Sequence, residues 1–192
     1  DPAAMPSAAT PSAADRNPFA PRTYGSLERL SPRVAIWRNI VNSTVFIGDR
    51  GLAVVDTQVN QALAKRLRQR LQDEFRKPIL FAINTHYHWD HTNGNAVFAE
   101  AGATLIANRD TADFMETEDP TLVWCPEERV LAAGDTVMTG SFPIFGQPSQ
   151  REGLEDAAWL AALDEVRGFD ALHVSPGHGP VAHIAELAQL ER

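Results

Sequence analysis

The sequence predicts an α/β layered domain assembled from two similar halves. Short β-branched and aromatic runs alternate with helix-period stretches, the pattern of strands covered by helices. A strand hairpin closing on Asp56-Thr57 is matched in kind by a second closing on Asp135-Thr136. A wholly apolar run, Ile79 to Ile83, opens directly into a cluster of histidines.

The elements follow in order. Residues 1–26 read as a disordered arm, because the run to Ala14 is mostly Ala, Pro, Ser and Thr and has no apolar bulk. It also lacks the basic and apolar regions of a secretory leader. Asp1 to Ala4 reads as a vector scar before a native start at Met5, with a removed leader as the alternative; the reading favours a cytoplasmic location. The folded domain is expected over 27–192. Val34 to Trp37 and Thr44 to Ile47 are strand-like, Gly48 to Gly51 is a turn, and Leu52 to Val55 returns as a strand. Leu63, Leu67, Leu71 and Phe75 recur every four residues and mark one face of a helix, with Lys65, Arg66, Arg68 and Arg70 on its wet side. Pro78 is expected to end it. Ile79 to Ile83 predicts a strand buried on both faces. A helix over Asn95 to Ala101, a strand over Thr104 to Ala107 and a helix from Arg109 come next. Thr121 to Cys125 and Val130 to Ala133 form the second hairpin, about a Pro126-Glu127-Glu128 turn. Leu154 to Val166 is helical with Leu160, Leu163 and Val166 inward; Ala171 to Val174 is a strand, Pro176 to Pro180 a loop, and Ile184 to Leu190 a closing helix.

Composition narrows the function without naming it. A chain of 192 residues with 44% hydrophobic and 22% charged residues suits one globular domain that buries its own core. A single cysteine, Cys125, excludes an intramolecular disulfide framework; it reads as a small buried residue rather than a nucleophile. No apolar stretch approaches the roughly 18 residues of a membrane span. The net charge of −8 argues against nucleic acid and anionic membranes. A small-molecule substrate is the expected partner.

The chemistry concentrates in His86-x-His88-x-Asp90-His91. Three imidazoles and a carboxylate within six residues suit zinc or another borderline divalent cation. On an extended loop His86 and His88 point the same way, while Asp90 and His91 reach a second position, so one loop can serve two metals. His173 and His183 read as structural. Taken alone, Gly134-Asp135-Thr136 reads first as a common turn, and Pro176-Gly177-His178-Gly179 reads equally as a plain loop. Tyr87 and Trp89 either wall the pocket or pack, and Phe142 to Phe145 is either a pocket lip or buried packing.

Thr85-His86-Tyr87-His88-Trp89-Asp90-His91, followed by Asn93-Gly94-Asn95, resembles the HxHxDH motif of the metallo-β-lactamase-fold metallo-hydrolase superfamily. The likeness runs from about Val34 to His178 and takes in Asp56-Thr57, Gly134-Asp135-Thr136 and the loop of His178. It implies a four-layer αββα sandwich. It further implies that His86 and His88 bind a first metal, that Asp90, His91 and His178 bind a second, and that Asp135 bridges them. The implied cofactor is zinc, as two ions, with iron or manganese as alternatives. The implied activity is attack of a metal-bound hydroxide on an ester, thioester, lactone or related carbonyl substrate. Asp90 then serves as the catalytic residue that orients water or passes its proton, and Asp56 supports the loop by hydrogen bonds. An Asp at position 135, where the zinc β-lactamases usually carry Cys or Ser, resembles the general hydrolase branch. The alternatives are zinc β-lactamase activity, an iron-dependent oxidoreductase of the same fold, and a degenerate non-catalytic member.

The chain departs from the family in one place. The first metal normally takes a third His from a loop before the second hairpin, and no His lies between His91 and His173. Glu116 or Glu118 replaces it, or a true deletion leaves the position empty, or the chain lacks a segment near 115–120. The last is preferred, because the second half lacks the strand that precedes the first hairpin. The encoded gene sequence across Met115 to Pro120 decides among the three.

Overall fold

The computed structural model describes residues 24–108, 121–140 and 154–187. The two predicted halves are present as two sheets. The first has six strands in sequence order: β1 (Ser26–Ser31), β2 (Val34–Arg38), β3 (Ser43–Ile47), β4 (Leu52–Val55), β5 (Ile79–Ile83) and β6 (Thr104–Ile106). Strands β1 to β4 run antiparallel, whereas β4, β5 and β6 are parallel. The crossover from β4 to β5 is α1 (Gln61–Phe75); that from β5 to β6 carries α2 (Trp89–Thr92) and α3 (Asn95–Glu100). The second sheet has the order β10-β9-β8-β7, from β7 (Val123–Cys125), β8 (Val130–Met138), β9 (His173–His178) and β10 (Ala182–His183). There α4 (Leu154–Gly168) links the parallel pair β8 and β9, and α5 (Ile184–Leu187) closes the described chain.

Two apolar cores mark the outer layers of the sandwich. Ala64, Leu67 and Leu71 of α1 press onto Val54, Ala82 and Phe98. Leu163 and Val166 of α4 press onto Leu131, Val137 and Val174. Each fully buried leucine contributes about 1.5–3 kcal/mol. Between the sheets, buried apolar residues such as Val34 and Ile36 are joined by polar contacts. Thr44 Oγ1 donates to Ser175 Oγ at 2.7 Å, and Asn42 Nδ2 donates to the carbonyls of Pro176 and Gly179 at 3.0 and 2.7 Å.

Helix α1 starts at Asn60, whose side chain accepts from Leu63 N, and stops at Arg76 in the left-handed region (φ 51°). It therefore ends before Pro78 acts. Several other expectations are corrected. The first strand starts at Ser26 and was not expected. Phe81 is 39% exposed, so β5 is not buried on both faces, and Ile106 beside it on β6 is 42% exposed. The inner face is sealed at β2, where Val34 and Ile36 are fully buried, and opens toward β5 and β6. Leu160 is 42% exposed rather than inward: residues 160 and 166 lie about 120° apart around a helix of 3.6 residues per turn. Cys125 is half-buried, not buried, and burial raises its thiol pKa, which keeps it protonated. The predicted helix from Arg109, the segment near 115–120 and the stretch Phe142 to Phe145 lie outside the described residues. So do residues 1–23. Among the described residues, no helix is long and apolar enough to cross a membrane.

Candidate metal centre

Where β5 ends, Asn84 N still pairs with Ile106 O, and then the chain leaves the sheet. His86 and His88 lie on the irregular segment that follows, and Asp90 and His91 on the single turn of α2. His88 is the N-cap of that turn, and its carbonyl accepts from His91 N at 3.0 Å and from Thr92 Oγ1 at 3.1 Å. The other two side chains come from the second sheet. Strand β8 runs straight through Gly134-Asp135-Thr136, which is not a turn, and β9 includes Pro176-Gly177-His178, which is not a loop. Gly134, at φ 51°, is a bulge that shifts the β8–β9 register and turns Asp135 toward the loop. Gly177 permits the approach, because a Cβ there would run into Asp135 Oδ1.

Asp135 lies among four imidazoles. Its Oδ2 is 3.5 Å from His86 Nε2 and 3.9 Å from His88 Nδ1; its Oδ1 is 3.1 Å from His91 Nε2 and 3.5 Å from His178 Nε2. Asp90 Oδ2 lies 3.4 Å from His178 Nε2 and 3.7 Å from His91 Nε2. The ligand atoms form two clusters, His86–His88–Asp135 and Asp90–His91–His178, each within 4.8 Å. His86 Nε2, His91 Nε2 and Asp135 Oδ1 are buried without a hydrogen bond. Buried polar atoms left in that state are costly, and divalent cations at the two clusters would satisfy them. The nitrogen and carboxylate donors are those that zinc and its neighbours accept. All six predicted ligands are thus brought together. Glu116 and Glu118 lie outside the described residues.

A second layer of bonds aims the rings. Asp56, which is buried, accepts from His91 Nδ1 at 2.8 Å and from Thr85 N at 2.9 Å. Thr85 Oγ1 donates to Asp56 and accepts from His86 Nδ1 at 2.9 Å. His178 Nδ1 donates to the Ile40 carbonyl at 2.7 Å. In each case Nδ1 is engaged and Nε2 is left for the centre. The His91 carbonyl accepts from Thr57 N and Thr57 Oγ1, and Thr57 in turn touches Asn95, which pairs reciprocally with Asn84. Gly94 must be small here, since a Cβ would meet the Thr57 carbonyl and Ala64.

Without a cation the centre holds protons. Burial disfavours a charged His91, but the Asp56 carboxylate and then Asp135 override it and push its pKa up to about 10. Burial likewise opposes charge on His178, yet Asp90 and Asp135 raise its pKa. Asp135, despite burial, is held far below the usual carboxylate range by His86, His88 and His91, and Asp90 is lowered by His178 and His91. Because His91 titrates higher folded than unfolded, its contribution to stability is complete below about pH 6.5 and disappears as pH rises through about 10. The urea midpoint of chelator-treated protein should therefore fall between pH 7 and 10, while cation-loaded protein, whose imidazoles are already neutral, holds steady. A flat profile for the chelator-treated protein would contradict this charge pattern.

Around the centre, the Tyr87 and His88 rings are T-shaped with centroids 4.7 Å apart, while Trp89 is 63% exposed. His173 and His183 belong to neither cluster; they face each other across β9 and β10, and burial followed by His183 lowers the pKa of His173. Sequence reading gave no role to Thr85, Asn42, Gln58 or the Ile40 carbonyl. Thr85 adjoins the motif and was visible in principle; a backbone carbonyl leaves no mark in a sequence.

A family model for the metallo-β-lactamase superfamily matches residues 36–121. A metallo-β-lactamase type 2 from Bacillus cereus is 25% identical over 175 residues, taking in 73% of this chain and 67% of that protein. The α subunit of a 2,4-dinitroanisole O-demethylase from Nocardioides sp. (strain JS1661) is 40% identical over 67 residues, 34% of this chain and 20% of that one. Among solved structures, a metallo-β-lactamase from Pontibacter korlensis matches with a TM-score of 0.71 at 16% identity, covering 85% of this chain and 95% of its own. The FIM-1 metallo-β-lactamase from Pseudomonas aeruginosa, in a mono-zinc form, matches with a TM-score of 0.70 at 21% identity, covering 88% and 95%.

Proposed function

Since this chain belongs to the metallo-β-lactamase fold superfamily, whose members are largely metal-dependent hydrolases, we propose that it is a binuclear metallo-hydrolase of ester, thioester or lactone substrates. The observation that carries this reading is Asp135, set between two clusters of ligands with an oxygen toward each. His86 and His88 would hold one zinc, Asp90, His91 and His178 the other, and Asp135 both; iron or manganese suits the same donors. When bound, the cation pair supplies a water of near-neutral pKa and polarises the substrate oxygen.

The chain's own groups do the rest. Asp90, whose Oδ2 lies 3.4 Å from His178 Nε2, would orient the attacking water and pass its proton to the leaving oxygen. Asp56 and the Ile40 carbonyl hold His91 and His178 in the tautomer that turns Nε2 inward. His88 is the most exposed partner in the first cluster. The first cluster has three side chains in place; a segment missing near 115–120 would supply a fourth.

The test is a substrate panel on zinc-restored protein: p-nitrophenyl esters, thioesters, lactones, a chromogenic β-lactam and 2,4-dinitroanisole. Ester, thioester or lactone turnover well above the other two is expected. A preference for the β-lactam would transfer the assignment to the activity for which several relatives are named, and turnover of none would favour a non-catalytic member.

A further inference from the structure

Three consecutive residues after β4 reach three different parts of the centre. Asp56 takes the ring of His91 and Thr57 its carbonyl. Gln58 turns elsewhere: its Nε2 donates to the Val41 carbonyl at 2.9 Å and to Ser43 Oγ at 2.7 Å. Gln58 is fully buried, its Oε1 makes no hydrogen bond, and its φ is 84°. A buried, half-satisfied amide on a left-handed non-glycine backbone is unfavourable on each count. Such a residue persists where its surroundings need what it holds.

Gln58 holds the turn between β2 and β3, residues 39–42. Ile40, in that turn, gives its carbonyl to His178 Nδ1. Asn42, at its end, donates from N to Gly177 O at 2.8 Å and from Nδ2 to Pro176 O and Gly179 O. The turn thus grips the chain on both sides of His178 and sets its ring. Among the described residues, His86 and His88 make no hydrogen bond to it; they look to Thr85 and Asp135.

We propose that Gln58 is a positioning residue for the Asp90–His91–His178 cluster, acting through the 39–42 turn and the Ile40 carbonyl on His178. The proposal rests on the reading that this cluster holds a cation. Its signature is selectivity: loss of the Gln58 amide loosens one cation and spares the other.

Stepwise zinc affinities measured by competition with a chromophoric chelator test it, in wild type, Gln58→Gly and Gln58→Met. Glycine accepts φ 84° without strain, so that variant keeps the fold while losing the amide; methionine keeps the bulk and loses the donor. In both, one affinity should fall about 10- to 100-fold, as for other groups that orient ligands, with the other within about threefold. In metal-free protein, imidazole 15N spectra should show His178 shifted and His91 unmoved. Equal weakening of both affinities, or of neither, would overturn the proposal. If His178→Ala binds two zinc ions as tightly as wild type, the two-cation reading itself fails, and the proposal with it.

Discussion

Replacing Asp135 with alanine should end turnover and cost the protein most of its zinc. The Asp135 oxygens lie within 4 Å of all four imidazoles, and the residue belongs to the first cluster while its Oδ1 faces the second. Its removal leaves two histidines to hold one cation and takes a charge from beside the other. If the cations supply several kcal/mol of transition-state stabilisation, kcat/KM on the best substrate of the panel should fall on the order of 10³-fold or more. Elemental analysis after dialysis should find fewer than one zinc per chain. Because Asp135 is partly reachable by solvent, with 24% of its side chain exposed, the fold itself should survive. Full zinc content in Asp135→Ala would sink the bridging role.

The second large effect falls on stability. Asp56→Ala removes the partner of a completely buried imidazole and the acceptor for both Thr85 N and Thr85 Oγ1. Breaking a buried pair from one side typically costs about 3–5 kcal/mol. The loss should show in urea melts at pH 7 as a lower midpoint with an unchanged slope. Zinc affinity should fall by about 10- to 100-fold as well, since His91 loses its orienting carboxylate. The pH dependence of the metal-free protein should flatten, because the leading source of the raised His91 pKa is gone. A variant as stable as wild type would show that Asp56 is not the anchor described.

The centre was more legible than the scaffold around it, for a physical reason. Four of the six candidate ligands lie within six residues of sequence, so their chemistry is local and their spacing is readable. The periodic leucines of α1 and the paired hairpins were readable because period and repetition survive in one dimension. On its own Gly134-Asp135-Thr136 favoured a turn, because glycine before aspartate is common turn chemistry, and only the histidine motif pointed to Asp135; here the same glycine lets a strand bulge and continue. Pro176 lacks a donor and suggested a loop, yet it pairs opposite Gly134, where the ladder is already interrupted. The apolar run of β5 suggested two covered faces, but coverage depends on how far the opposite sheet extends, which the run itself does not encode. Gln58 carried no signal at all, being an ordinary polar residue whose role comes from where residues 41 and 43 happen to fold.

The bond from His178 to Ile40 spans 138 residues of sequence, and that from Asn42 to Pro176 spans 134. Contacts of such reach pay loop-closure entropy before they return anything. Each half can assemble its own sheet and helices from nearby partners, but the cation cage draws its walls from both. The cage is therefore the seam of the molecule: it exists only once the halves have docked, and any opening between them dismantles it.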